Sequence, residues 1–193
     1  IKANSKVITD TREEIRGETP DLRDRLVVAK LVSGQQLEPT SDMVNGNGRR
    51  IEIHRDALRE AGLIAPEHDE PLIADQYREI KRPLISNAFG KKATLVENGQ
   101  LIMVTSALSG EGKTFTSINL ALSMAREKDH VVLLVDGDVA KPHISEIFGA
   151  SEQPGLLDLL EDPELNAKSV ILPTDIDRLM ILPAGKPRPN ATE

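Results

Sequence analysis

Cysteine is absent from this 193-residue chain, which removes disulfide scaffolding and thiolate metal sites from consideration and suits a reducing cytoplasm. Tryptophan is absent too, and one tyrosine with three phenylalanines leaves aromatics at 2%. The core must therefore be aliphatic, and a single-strand nucleic-acid platform, which stacks bases on aromatic rings, is disfavoured. Positive charge is not in excess either. The net charge of −7 provides no field to gather phosphate backbones, so nucleic acid is not the expected partner. Long apolar runs are also missing: Leu101–Val104 and Val131–Val135 are the longest, far short of the roughly 20 residues that span a bilayer. Any membrane attachment is expected to come through a partner. The chain opens at Ile1 rather than Met, without a signal-peptide pattern, and reads as a fragment of a longer product.

What is present is the composition of an ordinary globular chain, 39% hydrophobic and 28% charged, and long enough for one full core. Residues 1–70 read as a charged, partly flexible segment, helical or irregular, with a weak helix over Asp21–Val32. A polar linker spans Gly34–Arg49, with a flexible turn at Asn45–Gly48. Asp56–Gly62 reads as a short helix with Asp56 as N-cap and Gly62 as stop, before Pro66. Asp75–Asn87 carries Tyr77, Ile80, Leu84 and Ile85 near helical spacing, with Pro83 expected to kink or divide it.

From residue 93 onward, strands and helices alternate. Leu101–Ser106 is an apolar run of strand length and Thr114–Arg126 repeats apolar residues at the helical period. Val131–Val135 is a β-branched run of the kind found in a strand buried on both faces. Strand, helix and strand make a βαβ unit with a right-handed crossover. The expected fold is α/β over residues 71–193, with a central, mostly parallel sheet flanked by helices, and the glycine-rich Ala107–Thr114 between strand and helix makes it a P-loop NTPase domain. Ile144–Phe148 and Leu156–Leu160 read as short helices, and Leu179–Leu182 as a further strand.

Between the first strand and the helix lies Ala107-Leu-Ser-Gly110-Glu-Gly112-Lys113-Thr114. A polyphosphate needs several backbone N–H groups aimed at it, so its loop must curl tightly without bulky side chains. Gly110 and Gly112 supply that freedom. The helix start adds the positive end of its dipole, Lys113 suits the β and γ phosphates, and the Thr114 hydroxyl suits Mg²⁺. Ser109, Gly110, Glu111, Gly112, Lys113, Thr114 and Phe115 form the expected ATP-binding set. The Glu111 side chain is expected in solvent. Asp136-Gly-Asp138 follows the second strand, where open α/β sheets place their ligand crevice. Asp136 is expected to hold Mg²⁺ through water, and Asp138 to accept the proton of an attacking hydroxyl or help position the metal. With Lys113 they form the expected catalytic set, while Thr114 and Asp136 form the expected metal set. His54, His68, His130 and His143 lack metal-ligand spacing, and Met103 and Met124 are expected in the core.

These motifs resemble the bacterial tyrosine kinases, P-loop autokinases that govern exopolysaccharide and capsule export, and especially the autokinases of exosortase-associated exopolysaccharide loci. The resemblance rests on Thr105–Thr114 as Walker A, Val132–Pro142 as Walker A′, Tyr77–Leu84 with Asn87–Gly90, Gly155–Leu160 and Leu182–Asn190. Three departures stand out. The loop begins with Ala107 where Gly is usual, Ala140 and Lys141 replace the Arg common after the second Asp, and the helical E-x2-R-x2-R ring motif appears as Asp75, Arg78 and Lys81. Lys lacks the bidentate fork of Arg. The family's Walker B Asp and acceptor tyrosines are expected beyond Glu193, and Tyr77 reads as a packing residue.

The resemblance implies an ATP- and Mg²⁺-dependent protein-tyrosine autokinase that assembles into a homo-oligomeric ring through Asp75, Arg78 and Lys81. It implies a cytoplasmic chain held at the inner membrane by a polysaccharide co-polymerase. A ParA/MinD-type ATPase and a non-catalytic nucleotide-dependent assembly switch are the alternatives. Against the former, Leu108 stands where those ATPases carry a second lysine.

Overall fold

The structure, a computed structural model, describes residues 27–33, 50–63, 71–90 and 96–186. Its elements run β1 (Val27–Ser33), α1 (Arg55–Glu60), α2 (Pro71–Phe89), β2 (Leu101–Val104), α3 (Lys113–Ala125), β3 (His130–Val135), α4 (His143–Ile147), α5 (Leu156–Glu161), α6 (Ala167–Val170), β4 (Leu172–Pro173) and β5 (Leu179–Leu182). The five strands form one sheet in the order β2-β1-β3-β5-β4. β3 and β5 pair in parallel, whereas β1 is antiparallel to both β2 and β3, and β4 is antiparallel to β5. Thus β2, β3 and β5 share one direction, as the βαβ reading requires, and their carboxyl ends lie at one edge. The sheet is nevertheless mixed, because β1 and β4 run against them.

Two local readings are corrected. The weak helix expected over Asp21–Val32 gives way to a strand from Val27, whose Val-Val-Ala-Lys-Leu-Val run finds partners on both sides in β2 and β3. Such pairing overrides a weak helical period. α2 is one helix of 19 residues with Pro83 inside it, not divided there. The α1 helix begins one residue before the expected cap, with His54 at the N-cap position, while Gly62 at φ 68° ends that segment as expected. The Gly34–Arg49 linker, the Asn45–Gly48 turn, Pro66, His68 and residues 187–190 lie outside the described residues.

Alternation along β3 and β5 divides the core between the two faces of the sheet. Val132, Leu134, Leu179 and Ile181 face a larger cluster with Ile118, Leu122 and Met124 of α3. Val131, Leu133, Met180 and Leu182 face a smaller one with Val170. α3 is buried from Ser117 through Ala125, with α2 packed against it. Met124 is fully buried, but Met103 is 60% exposed because it points outward from strand β2.

Residues 50–63 join the same core. Ile53, Leu58 and Leu63 are buried in the larger cluster alongside Tyr77. This segment is anchored far along the chain: Ile51 bridges Thr174, the Ile53 amide donates to Asp175 Oδ1 at 3.1 Å, and Arg55 pairs with Asp175 at 2.9 Å. Among the described residues, no helix is long and apolar enough to cross a membrane.

Candidate functional site

The phosphate loop connects the end of β2 to the start of α3, and its shape follows from its glycines and from internal bracing. Gly110 and Gly112 sit at φ 82° and 88°, and Gly112 is the N-cap of α3. L residues resist such angles, whereas the space where a Cβ would point is open at both positions. Glu111, exposed as expected, also accepts a hydrogen bond from the Leu108 amide through Oε2 at 2.9 Å. Ser106 Oγ donates to the Leu108 carbonyl at 2.8 Å, and Lys113 Nζ donates to Ser106 Oγ at 3.3 Å. The loop is thereby preformed from both ends. Among the described residues, no acceptor takes up the amides of Gly110, Gly112, Lys113 or Thr114.

These groups line a cavity of about 510 Å³ together with Ser109, Phe115, Asp138 and Lys141. Strands β2 and β3 bring them together: the loop leaves the carboxyl end of one and the Asp136-Gly-Asp138 turn leaves the carboxyl end of the other. Asp138 Oδ1 accepts from the Lys141 amide at 3.0 Å, which fixes the turn that carries both residues to the cavity wall. Part of the lining carries no signal in the sequence. It comes from Ala61 and Leu63 after α1 and from Ile147 of α4, residues whose types signal nothing in isolation.

Asp136 sits apart from the cavity lining. It is fully buried, and both carboxylate oxygens are engaged within the protein. Oδ2 accepts from the Ser145 amide at 2.8 Å and the Ser145 hydroxyl at 2.7 Å, while Oδ1 accepts from the Asp138 amide at 3.3 Å. Ser145 Oγ in turn accepts from the Ala184 amide at 3.1 Å. The Asp136 carboxylate thus ties the carboxyl end of β3 to α4 and to the end of β5, and does not line the cavity with Asp138. Burial pushes its pKa up, and the hydrogen bonds from Ser145 pull it partly back. The Asp136 carboxylate thereby braces the turn that carries Asp138, and Asp138 and Thr114, not Asp136, stand in the cavity lining.

The expected ring residues are also separated. Arg78 and Asp75 form an exposed pair with each other at 2.7 Å. Lys81 turns inward: only 5% exposed, it donates to the Ser123 carbonyl at 2.7 Å and pairs with Glu127 at 2.7 Å, joining α2 to α3. The Lys81 ammonium is thus engaged within its own chain. Tyr77 is a buried core residue. Among the described residues, no cluster of three or more His, Asp or Glu could hold a metal by itself.

A family model described as the CobQ/CobB/MinD/ParA nucleotide binding domain matches residues 102–180. The chain is 35% identical to the tyrosine-protein kinase CpsD of Streptococcus agalactiae over 97 residues, which cover 50% of this chain and 42% of that protein. It is 28% identical to the tyrosine-protein kinase YwqD of Bacillus subtilis (strain 168) over 140 residues, 72% of this chain and 56% of the relative. It is 32% identical to the tyrosine-protein kinase ptk of Acinetobacter johnsonii over 93 residues, 48% of this chain and 12% of that protein. The chain thus spans about half the length of CpsD and YwqD. The glycine-rich loop at the head of α3 and the Asp138 turn beside it make the chain a P-loop α/β protein, similar to the CobQ/CobB/MinD/ParA nucleotide binding domain and to bacterial tyrosine-protein kinases.

Proposed function

We propose that this chain carries the ATP site of a protein-tyrosine kinase that phosphorylates its own kind and regulates exopolysaccharide synthesis or export. The observation that carries the reading is the convergence of open loop amides, Lys113 and Asp138 on one cavity. The Gly110–Thr114 amides would bind the phosphate chain, and the Lys113 ammonium would draw charge from the β and γ phosphates as the terminal group leaves. Mg²⁺, held by the Thr114 hydroxyl and phosphate oxygens, would neutralise part of the triphosphate charge. Asp138 would accept the phenol proton.

Tyr77 is buried, so the acceptor would be another tyrosine, presented to the site by a neighbouring subunit. The exposed Asp75–Arg78 pair on α2 remains available for ring contacts, although Lys81 is not. A polysaccharide co-polymerase of the inner membrane is the proposed partner, and the cytoplasmic face of that membrane the proposed location. Purified protein given Mg·ATP and a tyrosine-rich polypeptide should accumulate phosphotyrosine, and Lys113→Met should abolish the gain. Phosphate release without phosphotyrosine would favour the ATPase reading that the MinD/ParA likeness keeps open.

A further inference from the structure

The phosphate-loop cavity has a second, apolar wall that binding of phosphates does not use. Leu63, 6% exposed, and Ile147 line it, with Phe115 38% exposed directly after Thr114. A phosphate chain has no use for such surfaces, since they offer no donors. The wall is also firmly held. Leu63 follows α1, whose start is pinned to Asp175 by Arg55 at 2.9 Å and by the Ile53 amide. Its amide donates to the Leu58 carbonyl at 2.8 Å. Gly62 approaches Phe115 closely enough that a Cβ there would lie 3.6 Å from Cε2. Ile147 lines the same cavity from α4, the helix that also brings His143 and Glu146 to it and that Asp136 anchors through Ser145.

We propose that Leu63 and Ile147, beside Phe115, form the slot that receives the aromatic ring of the phosphoryl acceptor, and that this wall makes the site select a phenol over an alkyl alcohol. The inference rests on the kinase reading above. A flat ring buries its faces against aliphatic side chains, and burial of that area is the source of the preference; a serine side chain has no comparable surface to bury. The ring would lie across from Asp138 in the same cavity. Its oxygen would form the new bond to the γ-phosphorus as the bond from that phosphorus to the bridging oxygen of ATP breaks. The phenol proton would pass to the Asp138 carboxylate and ADP would leave.

Leu63→Ala and Ile147→Ala test the slot, each first checked for an unchanged circular dichroism spectrum. Two dissociation constants are measured by calorimetry: that of an ATP analogue with a non-transferable γ-phosphate, and that of a tyrosine-bearing peptide at saturating analogue. Serine and phenylalanine versions of the peptide serve as comparisons. The slot predicts that each variant binds the tyrosine and phenylalanine peptides about three- to tenfold more weakly, narrows the margin over the serine peptide, and leaves the analogue within about twofold. Weakened analogue binding with unchanged peptide binding would assign the wall to the nucleobase and overturn the proposal, as would no change in either. Failure of the kinase reading itself appears in the wild type alone, as analogue binding without phosphoryl transfer to any tyrosine peptide.

Discussion

Lys113 offers its ammonium to the cavity from the first turn of α3, 3.3 Å from Ser106 Oγ. Methionine keeps most of the stem and removes the charge. Lys113→Met is expected to weaken Mg·ATP binding about ten- to hundredfold, equivalent to ~1.5–3 kcal/mol for hydrogen bonds to a charged group, with thermal unfolding nearly unchanged. Ser145 acts on stability instead. Ser145→Ala removes the hydroxyl bond to the buried Asp136 carboxylate and leaves the Ala184 amide without its acceptor, and should cost about 1–3 kcal/mol in denaturant unfolding. That cost depends on pH. Because the folded-state pKa of Asp136 lies above its unfolded value, stability falls as pH rises from the ordinary value of 3.8 through the folded one, then levels off. Removing the Ser145 hydroxyl bond raises the folded pKa further, so the deficit of the variant should be larger at neutral pH than at acid pH. The contrast between these residues shows what could be read in the sequence. Gly110, Gly112, Lys113 and Thr114 take their roles from eight consecutive residues and were legible there. The role of Asp136 depends on Ser145, nine residues later, and through it on Ala184, which no local spacing announces.

The loop and the helix it opens are the elements on which the site depends. Gly112→Ala forces a side chain onto a residue at φ 88°, where the neighbouring space is open and the backbone alone objects. The expected cost is about 1–2 kcal/mol in thermal unfolding, together with weaker nucleotide binding as the amides turn away. The far end of α3 is held by Lys81 of α2. Lys81→Met should cost about 1–3 kcal/mol at neutral pH, because the Ser123 carbonyl loses its donor and Glu127 its partner. The Lys81 hydrogen bond holds the Glu127 pKa below 4.5, so this stabilisation is present above that value and lost as pH falls through the lower folded one. The difference between variant and wild type should shrink on that acid limb, as measured by unfolding at a series of pH values. β2, α3, β3 and β5 were readable because their apolar periods are strong over their own length. β1 was not, because pairing with strands more than sixty residues away decided between helix and strand. Pro83 does not divide α2: packing of Leu84 and Ile85 against the core and the Lys81 contact hold the helix together across it.

Across the whole molecule, one edge of the sheet gathers everything the proposed chemistry requires. The carboxyl ends of β2 and β3 supply the loop and Asp138, the end of β5 supports them through Ser145, and residues 50–63 reach over from the amino-terminal side to complete the cavity. This last contribution could not be foreseen from a charged segment rich in turns, because only the tertiary anchors at Thr174 and Asp175 bring it there. The account depends most on the loop amides acting as a cradle for a triphosphate. The direct test is a calorimetric titration of the folded chain with Mg·ATP, with and without excess inorganic pyrophosphate as competitor. Saturable binding that pyrophosphate displaces, and that Lys113→Met weakens at least tenfold, is the predicted result. A folded chain that takes up no Mg·ATP, or takes it up with no dependence on Lys113, would contradict it.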